Sequence, residues 1–455
     1  MKPLCFVLMP FGRKQDTTGR MVDFDAVYRE IIAPAVTAAD LDPIRADEEQ
    51  VGGTIHKPMF ERLMLCEFAV ADVTGANPNV YYELGVRHAI RPRSTVILFA
   101  QGTVLPFDIA LLRGVAYQTD ASGNPTAPEQ HIGTIATYLR SARQDHHIDS
   151  PVFQFVDYAQ PLEVDHAKTD LFRKQVDYSR EYKTKLGVAR KEGLDAIRAV
   201  AADPALENMA DVEAGIVIDL FLSYRAVKAH QDMVDLYARM PQPLQRTRMI
   251  REQLAFALNR LGRSEDAERM LTDIIAKLGP SSETNALLGR VYKDRWEAAL
   301  KEGDEFTAAG LLDRAVEAYR TGFEADWRDP YPGINAVTLM ELQDPPNPMQ
   351  SDLLPVVRYA ALQRCQGKAD YWDHATLIEL AVLARNNEEA RKQTGKALAL
   401  IREVWEPETT ARNLRLIRET RERRGEDVAW IAQIETGLKR AQERFAAPKT
   451  VAATS

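Results

Sequence analysis

At 455 residues the chain is too long for one ordinary core and predicts two or three domains. Hydrophobic residues at 45% and charged residues at 27% exclude wholesale disorder, and a net charge of −8 argues against a nucleic-acid-binding surface. Three scattered cysteines, Cys5, Cys66 and Cys365, exclude a disulfide framework or zinc site and read as buried thiols in a reducing compartment.

The start, Met1 to Phe11, is too brief for a signal-peptide core, and no apolar run of about 18 or more residues follows. The expectation is a cytoplasmic protein without a membrane span. Leu4 to Met9 is a continuous apolar run closed by Pro10-Phe11-Gly12-Arg13, as for a buried parallel strand followed by a loop. Phe24, Val27, Tyr28, Ile31, Ile32 and Ala35 recur at helical spacing, with Pro34 demanding an end or a kink. A short strand at Ile44 to Asp47, a helix at Thr54 to Cys66, and a strand at Phe68 to Asp72 come next. They are followed by a helix at Val80 to Ile90, strands at Thr95 to Phe99 and about Gly114 to Thr119, and a closing helix around Ile132 to Leu139.

Alternating βαβ units of this size imply an α/β domain over 1–145, with a flavodoxin-like five-stranded parallel sheet in the order 2-1-3-4-5. Its switch point lies between strands one and three. That places Pro10, Phe11, Gly12 and Arg13 beside Asp72, Gly75, Asn77 and Asn79, in the crevice where such sheets bind ligands.

Within that crevice Glu83 comes first. Set in the first helical turn, it either offsets positive charge on a sugar undergoing N-glycosidic cleavage or merely complements the helix dipole. Asp72 either holds ribose hydroxyls or closes an Asx turn before Thr74 and Gly75. Asn79 reads as the N-cap of the helix from Val80, and Tyr82 or Tyr81 as a stacking surface or core residue. Arg13 suits a phosphate, although Gly12 and Gly19 have neither P-loop nor dinucleotide spacing. Asp108, after the fourth strand, either faces the crevice or belongs to a turn. His56, His88 and His146-His147 form no metal constellation, and no cofactor is implied.

Beyond a linker at 146–165 the pattern is helical over 166–445, with a frayed tail at 446–455. Ala257, Leu258, Leu261, Gly262, Ala267, Leu271, Ile275 and Pro280 have tetratricopeptide-type spacing. Leu287, Gly289 and Tyr292 open a further unit; Ala315, Tyr319, Gly322 and Pro330 close another. Terminal helices at Asn413 to Arg424 and Val428 to Phe445 cap the array, and the cations of Arg421 to Arg424 read as a solvated face.

Two resemblances rest on these residues. Phe6 to Gly12, Ala69 to Gly75 and Asn77 to Gly85, the last reading Asn-Pro-Asn-Val-Tyr-Tyr-Glu-Leu-Gly, resemble the nucleoside 2-deoxyribosyltransferase-like superfamily, related in fold to TIR domains. The resemblance implies that Glu83 is the nucleophile at the sugar, that Asp72 helps bind the nucleoside, and that the ligand is a nucleotide such as NAD. The Asn-Pro-Asn loop departs from true transferases, which leaves hydrolysis or simple binding. Glu317 to Ala325 and Pro330 to Ala336 resemble the TRAF-binding region of apoptosis signal-regulating kinases. With no kinase signature in the chain, this implies a regulatory array that recruits a protein partner or drives homo-oligomerisation.

Overall fold

The computed structural model describes residues 2–16, 18–45, 56–110, 112, 114–144, 148–157, 159–161, 166–365 and 369–446. The chain forms two compact units, Met1–Ala229 with Arg239–Thr247, and His230–Ala238 with Arg248–Ser455. The expected His146-His147 linker segment and the tail beyond Ala446 lie outside the described residues.

The first unit is built on a parallel sheet of β1 (Leu4–Leu8), β2 (Asp42–Arg45), β3 (Phe68–Asp72), β4 (Thr95–Ala100) and β5 (Gly114–Tyr117), in the order β2-β1-β3-β4-β5. This is the predicted order, and β1 and β3 are neighbours in register, with Leu8 opposite Ala71. Both faces are buried, as continuous apolar strands require. Val7, Val70, Leu98 and Val115 pack against Phe24, Ile31, Ile135 and Leu139 on one side. Phe6, Ala69, Ala71 and Ile97 pack against Leu63, Val80 and Leu84 on the other. The helices His166–Glu192, Leu194–Ala201 and Ala214–Ala226 also belong to this unit, where Arg180 donates to Asp42 at 2.8 Å and to the Pro43 carbonyl at 2.6 Å.

Several local expectations shift. Pro34 neither ends nor breaks its helix: Phe24–Val27 passes into a π-helical turn, Tyr28–Ile32, before Ala33–Ala38. The wider turn hands the Ala33 N–H to the Tyr28 carbonyl and makes room for the proline ring. The second strand begins at Asp42 rather than Ile44, and the fifth ends at Tyr117. Unforeseen was a small hairpin, Arg13–Gln15 with Met21–Asp23, which follows β1. Its turn is tied by Asp16, whose carboxylate accepts from the Thr18 N–H and hydroxyl and from Arg20. Burial would raise that carboxyl, but these donors hold it below the usual range.

In the second unit, successive helices pair. Helices Arg248–Arg260 and Ser264–Leu278 turn through Gly262 at φ +77°, as the spacing predicts. Helices Ser282–Glu302 and Glu305–Ala325 run antiparallel: a Cβ on Gly289 would lie 2.7 Å from the Tyr319 ring, and one on Gly322 would lie 3.1 Å from Asn285. Small residues therefore set the crossing, as in tetratricopeptide hairpins. Pro330–Leu342, Gln350–Arg364, Tyr371–Leu383 and Asn387–Leu398 continue the alternation to Trp405–Arg423 and Ala429–Ala446.

The supposed solvated face at the end of the array is a correction. Arg421 is buried and meets buried Glu341 at 2.8 Å, while its remaining donors reach the Val382 and Leu383 carbonyls at 2.8 and 3.0 Å. Arg424 adds a second contact to Glu341 at 3.3 Å. A charge run in sequence carries no information about a carboxylate 80 residues away that desolvates one of its members.

Truncating one partner strands the other, so Arg421→Met is expected to cost about 3 kcal/mol, read as a lower midpoint for urea-induced loss of helical ellipticity. Pairing it with Glu341→Leu should recover most of that loss; a double variant as weak as the single one refutes the pairing argument.

Candidate functional site

The carboxyl ends of β1 and β3 do converge at the switch point. Gly75, at φ +81°, approaches the hairpin so closely that a Cβ there would meet Asp16 Cα at 3.7 Å and the Gln15 carbonyl at 3.8 Å. The hairpin also reaches the later loops. Arg20 donates to the Gln101 carbonyl at 2.5 Å, Arg13 to the Ser122 carbonyl at 2.6 Å, and the Asp23 N–H to the Gly123 carbonyl at 2.9 Å. It therefore roofs the end of the sheet that sequence reasoning treats as an open crevice.

Beneath that roof sits Asp72, fully buried. One oxygen accepts from the Thr74 N–H at 3.0 Å and the other from the Tyr117 hydroxyl at 2.8 Å, while Thr74 and Tyr117 also meet at 3.1 Å. Burial pushes the carboxyl up despite these donors. The Asx-turn geometry of the simpler reading is present, with a buried tyrosine added to it.

Glu83 lies elsewhere. Side chains alternate across a strand, so Asp72 falls on the Val70 side of the sheet, with Tyr117. The helix Pro78–Ile90 packs Val80 and Leu84 on the opposite side, against Ala69, Ala71 and Ile97. The two carboxylates therefore point toward opposite faces of the sheet.

The helix also begins earlier than expected, which changes what Glu83 is. Asn77, not Asn79, is the N-cap: its side chain accepts from the Asn79 N–H at 2.9 Å and from the Val80 N–H at 3.4 Å. Pro78 follows as the first helical residue, where its missing N–H costs nothing, and Asn79 is left exposed in the first turn. Glu83 thus sits in the second turn, too deep to serve the helix dipole. It is on the sheet side of the helix, three residues from Val80 and four from Arg87, both buried.

At four residues' spacing Arg87 would ordinarily pair with Glu83. Here the guanidinium is fully buried and spent on the Leu63, Cys66 and Glu67 carbonyls at 2.7–3.0 Å. Glu83 has no hydrogen-bond partner among the described residues, and desolvation pushes its carboxyl up to about 7. A half-buried carboxyl near neutrality is chemically able to transfer a proton or to offset a developing cation.

The other predicted residues divide. Pro10 is buried, and Phe11 lies under Arg45, whose guanidinium is 4.7 Å from the ring centroid. Gly12, at φ +67°, donates to Asp25 at 3.1 Å. Arg13 is engaged by Ser122 and, at 3.5 Å, by Asp23. Tyr82 is exposed, edge-on to Phe60, and Asp108 is exposed in the short helix Phe107–Ala110. Sequence reading missed Arg45, a cation held between Phe11 and Tyr28 and paired with Asp25 at 2.5 Å. No cluster of metal-binding side chains occurs among the described residues, and no described helix is long and apolar enough to cross a membrane.

With this geometry in place, comparison with known proteins is informative about one part of the chain. The family model described as the MAP3K TRAFs-binding domain matches residues 80–434. Mitogen-activated protein kinase kinase kinase nsy-1 of Caenorhabditis elegans is 31% identical over 252 residues, which is 51% of this chain and 16% of that protein. Mitogen-activated protein kinase kinase kinase 15 of mouse is 29% identical over 47% of this chain and 16% of its own length. The human kinase kinase kinase 5 is 22% identical over 87% of this chain and 31% of its own length. The chain thus spans between a sixth and a third of these relatives. A solved TPR protein of Thermus thermophilus aligns with 44% of the chain and 97% of its own at 16% identity and a TM-score of 0.34.

The lone Glu83 carboxyl has a measurable consequence. Its folded-state pKa lies above the ordinary 4.5, so its protonated form is favoured in the fold; stability is intact below about pH 4.5 and is lost as pH rises through about 7. Glu83→Gln is therefore expected to match the wild type at pH 4 and to exceed it by about 1–3 kcal/mol at pH 8 in urea unfolding. A pH-independent difference would show that the carboxyl is not desolvated.

Proposed function

The chain belongs to the MAP3K TRAFs-binding domain family, and on that premise we propose that it is the partner-binding part of a signalling assembly, with its helical array as the docking surface. The observation that carries this reading is the extent of the match: it runs from the helix bearing Glu83 through the array to Ile434 as one block. A stack of helix pairs exposes long lateral surfaces while each pair buries its own seam, which suits protein recognition better than small-molecule chemistry. By the family's description, the partner class is a TRAF-type adaptor. Titration calorimetry of the full chain against a purified TRAF domain should give saturable binding; no heat at about 100 µM of both proteins sinks the reading.

A second reading of the first unit is favoured by the half-buried Glu83 carboxyl, which has no hydrogen-bond partner among the described residues and which desolvation pushes up to about 7. In it, Glu83 attacks or stabilises the ribosyl centre as the N-glycosidic bond of a nucleotide such as NAD breaks. Asp72, on the other face of the sheet and held by Thr74 and Tyr117, keeps a structural role in this reading. Nicotinamide release from NAD, followed by chromatography, should fall at least about a hundredfold in Glu83→Gln. Because that variant is expected to be the more stable protein at pH 8, unfolding cannot explain such a loss. Release that persists in the variant rejects the role.

A further inference from the structure

The first helices of the later pairs, Ser282–Glu302, Pro330–Leu342, Tyr371–Leu383 and Trp405–Arg423, are linked to one another by polar side chains. Lys293, on the first of them, lies among these groups and is only 9% exposed. A lysine so far removed from water ordinarily has a carboxylate in contact. Lys293 makes no hydrogen bond or ion pair among the described residues.

The acids near it are engaged by other donors. Glu379 accepts from Thr338 on one oxygen and from Asn413, at 3.2 Å, on the other. Glu297 pairs with Arg412, and Asp294, beside Lys293 in the chain, takes Arg290 at 3.0 Å and Asn259 at 2.7 Å. The guanidiniums of Arg290 and Arg412 repel an ammonium at this position. A buried cation so placed lowers its cost by giving up its proton. Burial, opposed by Glu379 and aided by Arg290, accordingly holds the Lys293 pKa below the ordinary lysine value.

Losing that proton leaves a primary amine with a free lone pair, the form in which lysine acts as a nucleophile. Its electrophile must be small and uncharged to reach a side chain with so little access, and the adduct must suit its surroundings. An aldehyde gives an imine that, once protonated, returns a cation without an acceptor to the same place. Carbon dioxide gives a carbamate, an anion, where two neighbouring guanidiniums each commit one nitrogen to a carboxylate and keep the rest of the fork.

We propose that Lys293 is a carbon dioxide site, carboxylated on Nζ to a carbamate. The Nζ lone pair forms the bond to carbon, one C=O π pair moves onto its oxygen, and the N–H proton released is taken up by the Glu379 carboxylate. Burial raises the Glu379 carboxyl, which fits it to hold that proton, and the Thr338 hydroxyl can rotate to accept from the acid. A neutral amine and a carboxylate thus become a carbamate and a carboxylic acid. The negative charge moves from the helix Tyr371–Leu383 to the helix Ser282–Glu302, so the step alters what adjacent helices of the array present to one another.

The test is chemical trapping on the full chain. The protein is equilibrated with isotopically labelled bicarbonate and carbon dioxide and treated with triethyloxonium, which esterifies a carbamate irreversibly; peptide mass spectrometry then locates the label. At about pH 7.5 an ordinary lysine is roughly one-thousandth amine, so exposed Lys277 and Lys392 set the background. Label on Lys293 is expected at least about tenfold above theirs, rising with dissolved carbon dioxide to saturation and falling to background in the urea-unfolded chain. Glu379→Gln, which removes the proton acceptor, should lower occupancy about tenfold at unchanged helical ellipticity. Label on Lys293 no higher than on Lys277 and Lys392, or equally high in the unfolded chain, overturns the site. Unchanged occupancy in Glu379→Gln rejects the proton step.

Discussion

Burying a guanidinium against backbone carbonyls is the interaction on which each unit turns. A helix ends with carbonyls that have no intrahelical donor, and burying such an end without partners is costly. Arg87 meets the carbonyls of Leu63 and Cys66, where the helix His56–Leu65 ends, and of Glu67 just before β3. Arg421 does the same for Val382 and Leu383 at the end of Tyr371–Leu383, with Glu341 as counter-ion. The two sites differ in that counter-ion. Arg421 is neutralised by a carboxylate in contact; Arg87 donates to carbonyls and hydroxyls, and burial, with Arg91 nearby, lowers its pKa to about 10. Fixing Arg87 in this way withdraws it from Glu83, so a structural requirement at one end of the helix creates the electrostatic anomaly a turn away.

That anomaly separates Glu83 from Asp16, Asp25 and Asp72 of the first unit. Asp16 is buried too, but donors on the same turn hold its carboxyl low. Asp25 has Arg45 and the Gly12 N–H, which outweigh desolvation. Asp72 is raised by burial, yet both its oxygens are committed. Glu83 alone among these has neither a neutralising cation nor a hydrogen-bond donor among the described residues, while still keeping some contact with solvent.

How much of the fold and the site is legible in the sequence depends on the range of each signal. Strand order follows from continuous apolar runs and short crossovers, because a parallel sheet buried on both faces leaves few arrangements. The alternation of side chains along β3 is equally legible, and applied to Asp72 it sets that residue on the face of the sheet away from Glu83. The Asn77 cap is available from Pro78, which favours the first helical position. The hairpin is not: three-residue strands of mixed polarity, Arg13–Gln15 and Met21–Asp23, carry no period, and they are fixed by Asp16, Ser122 and Gly123. Nor are the fates of Arg87 and Arg421, whose partners lie 20–24 and 38–80 residues away.

The array shows the same contrast between local and distant information, and it bears on where binding resides. Gly289 and Gly322 sit at a hairpin crossing where Tyr319 and Asn285 leave no room for a side chain, which is why the repeat spacing is visible despite its degeneracy. Among the first helices the links are polar and specific: Thr338 and Asn413 both donate to buried Glu379, and Arg412 pairs with Glu297 across 115 residues. These bonds fill the contacts among the first helices with the array's own side chains. Surface left for a partner is then found at helix ends and outer faces, where the exposed aromatics Tyr331 and Trp405 lie. Burial of further apolar area at helix ends and outer faces releases water without breaking a bond the array has already made.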